Sequence, residues 1–204
     1  KNILWVGTEN GVVRKENDAF TNFFEEDGLA LNSCWAIAED NNKNLWFGSY
    51  GGGVSIYNGR NFEVISEEDG LAHNEVNRMF SYENYMFIGT SDGVSRIDIN
   101  TFEVVSWNVP HEKSLFRVTG FFEYNNDIYV ATYTTGIYKI SREGEYSNLV
   151  KVNDQKYIYS VFKGSDSIYS SNKNFYTKSS LKEYLQRDTS IHKRLGYSIF
   201  CNVL

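Results

Sequence analysis

Proline, cysteine and histidine are scarce in this 204-residue sequence, which has one Pro, two Cys and three His. Three histidines give little material for a metal site or for acid–base catalysis. No apolar run approaches the roughly 18 residues of a membrane-spanning helix, so no span is expected within the chain. The net charge is −6, and no basic stripe interleaves with aromatic residues. Nucleic acid is therefore not an expected partner.

The two cysteines, Cys34 and Cys201, lie 167 residues apart. Neither belongs to a Cys-x-x-Cys motif or lies near histidine at the spacing of metal ligands, so no metal site is expected. They form either a disulfide in an oxidising compartment or two buried thiols. The sequence starts with Lys1 and Asn2 and enters a strand-like run at once, which indicates a piece of a longer or processed protein.

Aromatic residues and glycine are abundant by comparison, with 33 aromatic side chains and 16 Gly. Aromatic and β-branched residues fit pleated, half-buried surfaces, so this composition indicates an all-β protein. The hydrophobic fraction of 41% and the charged fraction of 23% are those of a folded globular domain, and the sequence is too apolar for disorder.

Two sequence patterns recur with a period of about forty residues, which is typical of repeat folds. The first is a short strand that ends in a small residue and Ser or Thr, at residues 4–8, 45–49, 86–90, 128–132 and, more weakly, 168–171. Its anchor positions 7, 48, 89, 131 and 171 are 41, 41, 42 and 40 residues apart. The second is Asp-Gly-Leu-Ala-x-Asn, at 27–32 and again 42 residues later at 69–74. Two coincident periods establish an internal repeat.

Each repeat divides into four short strands separated by turn residues. In the repeat with the clearest punctuation, strands are predicted over 34–39, 45–49, 54–57 and 61–65, with a hairpin turn at Asn58-Gly59. The predicted fold is an all-β propeller of four-stranded blades, a single domain or fragment over 1–204 with about five blades. The predicted blade segments are 1–24, 34–65, 76–106, 116–149 and 157–185, with a final strand at 197–203.

The register of the repeats leaves two arrangements open. The sequence starts at a second strand and finishes on a first strand, so pairing of the two would complete a blade and close a five-blade ring. The alternative is an open arc cut from a larger propeller, which leaves strand edges exposed.

The consensus Asp-Gly-Leu-x-x-Asn, followed by Asn-Leu-Trp-x-Gly-Thr/Ser and a Gly-Val pair, resembles the two-component regulator propeller repeat. Residues 27–32 and 44–54 carry it, with partial copies over 4–12, 69–74 and 86–94. The resemblance implies the periplasmic sensor region of a Bacteroidetes-type hybrid two-component system, which senses oligosaccharides. The implied partners are an oligosaccharide ligand and the remaining domains of a membrane-spanning sensor kinase.

The repeated loops are expected to have structural roles. Gly28 and Gly70 are predicted to take positive φ in tight turns, and Leu29 and Leu71 to insert between adjacent blades. The acidic and amide side chains of these loops are expected to hydrogen-bond loop backbone. These residues are Asp27, Asn32, Asp69 and Asn74.

The repeated strand residues are expected to pack between blades. Trp5 and Trp46 stand in register in successive repeats, which predicts the same inter-blade position for both. Glycine two residues further on is small where a neighbouring sheet or side chain comes close. The glycines concerned are Gly7, Gly48 and Gly89.

Ligand contacts are expected on the propeller face that carries the crossover loops and the turns between second and third strands. Aromatic faces stack on the C–H surfaces of sugars, and polar groups fix the orientation of the ring. Seven residues outside the repeated motifs supply both kinds of group, although each taken singly also reads as ordinary exposed surface. The candidates are Tyr50, His73, Asp92, Trp107, His111, Arg117 and Tyr133.

The predicted function is non-enzymatic, with no catalytic residue and no cofactor. The sequence contains no Gly-x-Ser-x-Gly, no His-Glu-x-x-His and no phosphate-binding glycine loop. The acidic runs at 25–27 and 67–69 leave a glycoside hydrolase as a remote alternative. They recur at the repeat period, however, as a solvated blade edge would. The other alternative is a propeller scaffold for protein–protein interaction or homodimer formation.

Overall fold

The computed structural model describes residues 3–108, 116–142, 148–165, 167–171 and 176–186. It is an all-β structure in which antiparallel strands follow one another in chain order. The chain divides into two compact units, Lys1–Val118 and Thr119–Leu204. The predicted final strand at 197–203 lies outside the described residues.

The first unit contains three antiparallel sheets, each with its strands in chain order. Sheet 1 consists of β1 (Ile3–Thr8), β2 (Gly11–Glu16) and β3 (Ala19–Phe23). Sheet 2 consists of β4 (Cys34–Glu39), β5 (Leu45–Ser49), β6 (Val54–Tyr57) and β7 (Phe62–Ile65). Sheet 3 consists of β8 (Val76–Tyr82), β9 (Tyr85–Thr90), β10 (Val94–Asp98) and β11 (Val104–Trp107).

The second unit contains two further antiparallel sheets. Sheet 4 consists of β12 (Val118–Tyr124), β13 (Asp127–Thr132), β14 (Ile137–Ile140) and β15 (Leu149–Asn153). Sheet 5 consists of β16 (Ser160–Lys163), β17 (Ser167–Ser171) and β18 (Tyr176–Ser180). A short helix, α1 (Leu181–Gln186), follows β18.

The sheets have the architecture of propeller blades, in which up to four short antiparallel strands follow one another as a meander. This confirms the all-β, blade-type fold predicted from the repeat. In sheet 2 the observed strands match the prediction except that β7 begins at Phe62 rather than at 61. Asn61 belongs instead to the hairpin turn, because its N–H donates to Asn58 Oδ1 at 2.9 Å.

Helix α1 begins inside the segment predicted as the fifth blade, 157–185, and ends one residue beyond it, where the sequence predicts strands only. Glu183 N–H donates to Ser180 Oγ, and Glu183 Oε2 accepts from Ser180 N–H, both at 3.3 Å. This reciprocal pair is a capping box, which favours a helix start. Tyr184 anchors the helix, because its side chain is fully buried in a core that includes Phe122 and Ile168.

Each of the two repeated loops in the first unit is closed by its own polar side chains. In the first loop, the 3-10 helix Glu25–Asp27 ends at Gly28, whose φ of 111° favours glycine. Asn32 Oδ1 accepts from Glu25 N–H at 2.9 Å, and Glu25 Oε1 accepts from Asn32 N–H at 3.1 Å. Asp27 Oδ2 accepts from Phe24 N–H at 2.9 Å.

The same loop joins sheet 1 to sheet 2. The Asn32 carbonyl accepts from the N–H of Gly11, the first residue of β2, at 2.6 Å. Ala30 N–H donates to Ser55 Oγ of β6 at 2.8 Å. Leu29 is buried in the core formed with Val12 and Phe47. The loop is therefore bonded to the sheet before it and to the sheet after it.

The second loop repeats this arrangement between sheets 2 and 3. Its 3-10 helix Glu67–Asp69 ends at Gly70 with φ of 100°, and Asp69 Oδ2 accepts from Ser66 N–H at 2.9 Å. The Asn74 carbonyl accepts from Gly51 N–H at 3.1 Å and from Gly53 N–H at 3.0 Å. A further bond runs forward from Ala72 N–H to Ser95 Oγ of β10 at 2.9 Å, and Leu71 is buried.

Two tryptophans at equivalent positions of the repeat, Trp5 in β1 and Trp46 in β5, lie between neighbouring sheets. Trp5 of sheet 1 contacts Phe47 of sheet 2, with ring centroids 5.6 Å apart. Trp46 of sheet 2 is fully buried in a core that includes Met86 of sheet 3. Its Nε1 donates to Oδ2 of Asp40 at 2.8 Å. The Asp40 carboxylate is itself buried and also accepts from the backbone and side-chain N–H groups of Asn44, both at 2.9 Å.

Glycines at equivalent positions of β1 and β5 allow the next sheet to approach closely. A Cβ on Gly48 would lie 2.5 Å from Val76 Cγ1, and a Cβ on Gly7 would lie 2.7 Å from Cys34 Sγ. Gly89 stands at the equivalent position in β9, where it pairs with Val94. At Gly7 and Gly48, therefore, the close approach of successive sheets depends on the missing side chain.

Cys34 is a free, buried thiol that packs against Gly7, and its Sγ donates to the Ala36 carbonyl at 3.6 Å. Burial raises the pKa of this thiol to about 12, although the bond to Ala36 opposes the shift. Cys201 lies outside the described residues.

We expect Trp46→Phe to lower the free energy of unfolding by about 1–3 kcal/mol more than Trp5→Phe does. Trp46→Phe leaves the buried Asp40 carboxylate with one donor fewer, whereas Trp5 Nε1 donates no hydrogen bond within the described part of the chain. Urea denaturation followed by circular dichroism measures both variants. Equal losses would show that the indole–carboxylate bond contributes nothing to stability.

We expect Cys34 to be alkylated by iodoacetamide only as fast as the protein unfolds, because the folded thiol is buried and remains neutral. Since the folded pKa is raised, the stability contributed by the neutral thiol is fully present below the ordinary pKa of about 8.5. It is lost as the pH rises from there towards about 12. Mass spectrometry of the Cys34 peptide measures the labelling rate, and Cys34→Ala should remove this part of the pH dependence. Rapid labelling of the folded protein would contradict the buried placement.

Candidate functional site

The turns between second and third strands have one architecture in several sheets. The hydroxyls of Ser49, Thr90 and Thr132 donate to the carbonyl of the glycine before the third strand, at 2.9, 2.9 and 2.6 Å. The residue after each hydroxyl therefore stands at an equivalent place in the repeat. These residues are Tyr50, Ser91 and Tyr133.

Tyr50 forms an exposed aromatic pair with Trp35, which we call the Trp35–Tyr50 stack. The ring centroids are 4.5 Å apart and the planes are inclined by 22°. Trp35 is 42% exposed and Tyr50 46% exposed. The register of β4 against β5 shifts between Cys34 and Ala36, so Trp35 occupies a β-bulge. A bulge re-aims a side chain out of the regular alternation, which here brings the indole over the Tyr50 ring.

Sheet 3 fills the same two positions with small polar residues. Its bulge lies between Val76 and Arg78, where Asn77 takes the place of Trp35. Asn77 is buried, and its Nδ2 donates to Ser91 Oγ at 3.1 Å. This blade geometry therefore does not require aromatic residues at the two positions. The Trp35–Tyr50 stack keeps two large rings in contact with water, and the fold gives no packing reason for it.

A carboxylate lies beside the stack. Tyr50 forms an isolated antiparallel bridge with Glu75. Residues directly opposite in an antiparallel pair place their side chains on the same face, with Cβ atoms about 5 Å apart. Glu75 N–H donates to His73 Nδ1 at 3.0 Å. Glu75 is a half-buried residue, and its carboxylate has no hydrogen bond or ion pair with the rest of the described chain.

The other candidates in the first unit occupy separate places in sheet 3 and at its exit. Asp92 N–H donates to Thr90 Oγ1 at 3.3 Å, and Trp107 ends β11 opposite Val94. Arg117 is exposed. Burial is the main cause that lowers the pKa of Arg78, and the Arg117 cation adds to it. His111 lies outside the described residues. Of the predicted residues, Tyr50 and His73 are each connected to Glu75, Tyr50 by the backbone bridge and His73 by a hydrogen bond.

Tyr133, in the second unit, belongs to a different aromatic group, the tyrosine cluster of Tyr133, Tyr157 and Tyr159. The Tyr133 ring is nearly perpendicular to both neighbours, with centroids 5.9 Å from Tyr157 and 5.1 Å from Tyr159. The Tyr133 and Tyr159 hydroxyls are 3.1 Å apart. Tyr157 is exposed and has φ of 60°, a region that bulky residues rarely adopt.

Sequence reasoning missed Trp35, Glu75, Tyr157 and Tyr159. For Trp35 a signal existed, because alignment of the two best repeats places a tryptophan where the next repeat has Asn77. For Glu75 no signal existed, because its place beside Tyr50 depends on a bridge between consecutive sheets.

The acidic runs are used to close loops. Glu25 and Asp27 accept from Asn32 and Phe24, and Glu67 and Asp69 repeat these bonds 42 residues later. This arrangement does not resemble two carboxylates facing each other across a cleft. Within the described ranges, no three His, Cys, Asp or Glu residues are grouped so that they can hold a metal ion. None of the described helices has the length and apolar character needed to span a membrane.

Comparison with known proteins finds one family model that matches a segment of this chain. Residues 28–51 match the family model described as two component regulator propeller. This segment contains Trp35, Trp46 and Tyr50. A comparison with curated protein sequences gives no match.

Similar solved structures include extracellular domains of two proteins from B. thetaiotaomicron described as hybrid two component systems. BT4673 has 17% identity and a TM-score of 0.70 over 86% of this chain and 25% of its own. BT3049 has 20% identity and a TM-score of 0.67 over 84% of this chain and 25% of its own.

PorZ of Porphyromonas gingivalis, a surface component of the type-IX secretion system, is also similar, with 12% identity and a TM-score of 0.69. The match covers 89% of this chain and 26% of PorZ. The chain thus spans about a quarter of the length of these structures. At these identities the structures show the propeller fold alone, while the matched segment confirms the resemblance of the repeat to the two-component regulator propeller.

Proposed function

We propose that this chain is part of the extracytoplasmic, periplasmic sensor region of a hybrid two-component system. In this proposal it acts without catalysis and binds an oligosaccharide at the Trp35–Tyr50 stack. The repeat match at 28–51 and the fold shared with extracellular domains of such systems support the sensor role. The remaining domains of the sensor kinase would be its signalling partners.

The exposed stack is the observation that carries the ligand class. Two large rings in water are costly, and a sugar ring that covers them with its C–H face removes apolar surface from water at about 25 cal/mol per Å². The rigid ring pair loses little conformational freedom on binding, because it is already stacked in the free protein. Glu75 lies opposite Tyr50, and His73 accepts a hydrogen bond from Glu75 N–H, so both residues offer polar groups for the hydroxyls of the sugar.

The position of the stack also suits a sensor. Tyr50 bridges to Glu75, and Asn74 accepts hydrogen bonds from Gly51 and Gly53, so the Tyr50 turn is part of the joint between sheets 2 and 3. A ligand shifts a conformational equilibrium only by its differential affinity for the two states. A sugar on Tyr50 touches the segment where small movements of one sheet against the next alter hydrogen bonds.

We expect Trp35→Ala and Tyr50→Ala each to weaken oligosaccharide binding by at least about tenfold while changing the melting temperature little, since both rings are exposed. A thermal-shift screen against plant, host and microbial oligosaccharides identifies a ligand, and calorimetry then measures each variant. Phe162→Ala is the matched control, because Phe162 is an exposed aromatic residue on sheet 5 that belongs to neither proposed contact. Unchanged binding by both stack variants would show that the oligosaccharide does not bind at the Trp35–Tyr50 stack.

A second candidate function, homodimer formation, is favoured by an apolar face on sheet 1. Pairing places Leu4, Lys15 and Phe20 in one row and Val6 on the same face two residues along β1. Leu4, Val6 and Phe20 are all exposed, Phe20 to 66%. Exposed apolar groups that share one face are typical of protein contact surfaces.

If this face joins two copies, sedimentation velocity will show a concentration-dependent dimer that Phe20→Lys converts to monomer. A cation in place of the ring would be desolvated in the contact, which is unfavourable. Trp35→Ala should dimerise like the wild type. A monomer at all concentrations would show that the sheet 1 face does not form a homodimer.

A further inference from the structure

We propose that the Trp35–Tyr50 stack and Glu75 form a site for a sugar that carries a protonated amine, such as a glucosamine unit. This inference rests on the proposed oligosaccharide function and specifies its ligand class. Three features carry it: the exposed ring pair, a carboxylate on the same face, and the charge of the surrounding unit.

The ring pair attracts both the apolar face of a sugar and a cation. Its rings are stacked at 4.5 Å, and each remains more than two-fifths exposed. Aromatic faces carry negative partial charge, so an ammonium group within about 6 Å of a ring centroid is attracted to it. A neutral sugar can use only the apolar part of this surface.

Glu75 provides the countercharge. Its backbone is opposite Tyr50 in an antiparallel bridge, which places the carboxylate and the phenol ring on one face. Within the described chain this carboxylate makes no ion pair or hydrogen bond. By contrast, the carboxylates of Glu67 and Asp69 accept hydrogen bonds from backbone N–H groups of the preceding loop. A carboxylate beside an aromatic face can accept a charge-assisted hydrogen bond from an ammonium group that also contacts the ring.

The negative net charge of the first unit also favours a cationic ligand. Residues 1–118 contain 9 basic and 18 acidic residues, a net charge of −9, whereas the whole chain carries −6. A surface of one sign attracts ligands of the opposite sign and disfavours those of the same sign. A uronic acid placed against Glu75 would meet a like charge, so acidic sugars are expected to bind worst.

The test compares oligosaccharides of equal length that differ at one group. Glucosamine oligomers carry the amine, N-acetylglucosamine oligomers carry the same ring without charge, and oligogalacturonate carries a carboxylate. Calorimetry is performed on the full chain at a pH at which the sugar amine is protonated. The glucosamine oligomer is expected to bind about tenfold more tightly than the acetylated one, and the preference should weaken at high salt.

Variants then assign the preference to Glu75. Glu75→Gln keeps the side-chain shape and removes the charge, so it should bind the glucosamine and N-acetylglucosamine oligomers alike. The matched control is Glu63→Gln, which removes one exposed charge from β7 of the same unit and should keep the preference. Trp35→Ala should weaken binding of both oligomers. Melting temperatures of the three variants check that each is folded.

The outcomes separate this inference from the function on which it rests. A preference that Glu75→Gln abolishes and Glu63→Gln retains supports the amine site. Equal binding of the two oligomers by the wild type, or a preference that survives in Glu75→Gln, overturns the amine site while oligosaccharide binding at the stack stands. Binding of no saccharide in the wild type overturns both.

Discussion

The first unit depends on hydrogen bonds that its crossover loops make to two sheets at once. A three- or four-stranded sheet with strands of four to seven residues has little stability alone, so each must be fixed to its neighbours. The loop at 24–32 does this through the Asn32 carbonyl on one side and Ala30 N–H on the other. Glycine with positive φ makes the turn possible, and the leucine after it fills the core between the sheets.

Because these hydrogen bonds come from the backbone and from repeated residues, the side chains at some other positions can vary without loss of the fold. The loop bonds and the hydroxyls of Ser49 and Thr90 satisfy the backbone of each turn, whatever side chain follows. The next position can therefore be Tyr50 in one sheet and Ser91 in the next without loss of the turn. The bulged position varies in the same way, between Trp35 and Asn77. The pair is hydrogen-bonded in sheet 3, as Asn77 and Ser91, and exposed and aromatic in sheet 2, as Trp35 and Tyr50.

The repeat explains which parts could be predicted from sequence. Residues fixed by blade geometry recur with the period, so Gly28, Trp46 and the strands of sheet 2 could be located from sequence alone. Helix α1 depends on one capping box and one buried tyrosine, and neither recurs. The candidate site is harder to predict because its members depart from the repeat. Tyr50 was found as a loop aromatic, but Glu75 joins it only through a bridge between sheets that no local pattern encodes.

The bridge between Tyr50 and Glu75 also restricts how the site can work. The two residues belong to consecutive repeats, so a ligand that contacts both spans the joint between sheets 2 and 3. On the Tyr50 side, this joint is held by the isolated bridge and by two hydrogen bonds that Gly51 and Gly53 N–H donate to the Asn74 carbonyl. A ligand that pairs with Glu75 while it stacks on Tyr50 adds a further connection across it. In the proposed function, ligand binding at this point would therefore be coupled to the geometry between sheets 2 and 3.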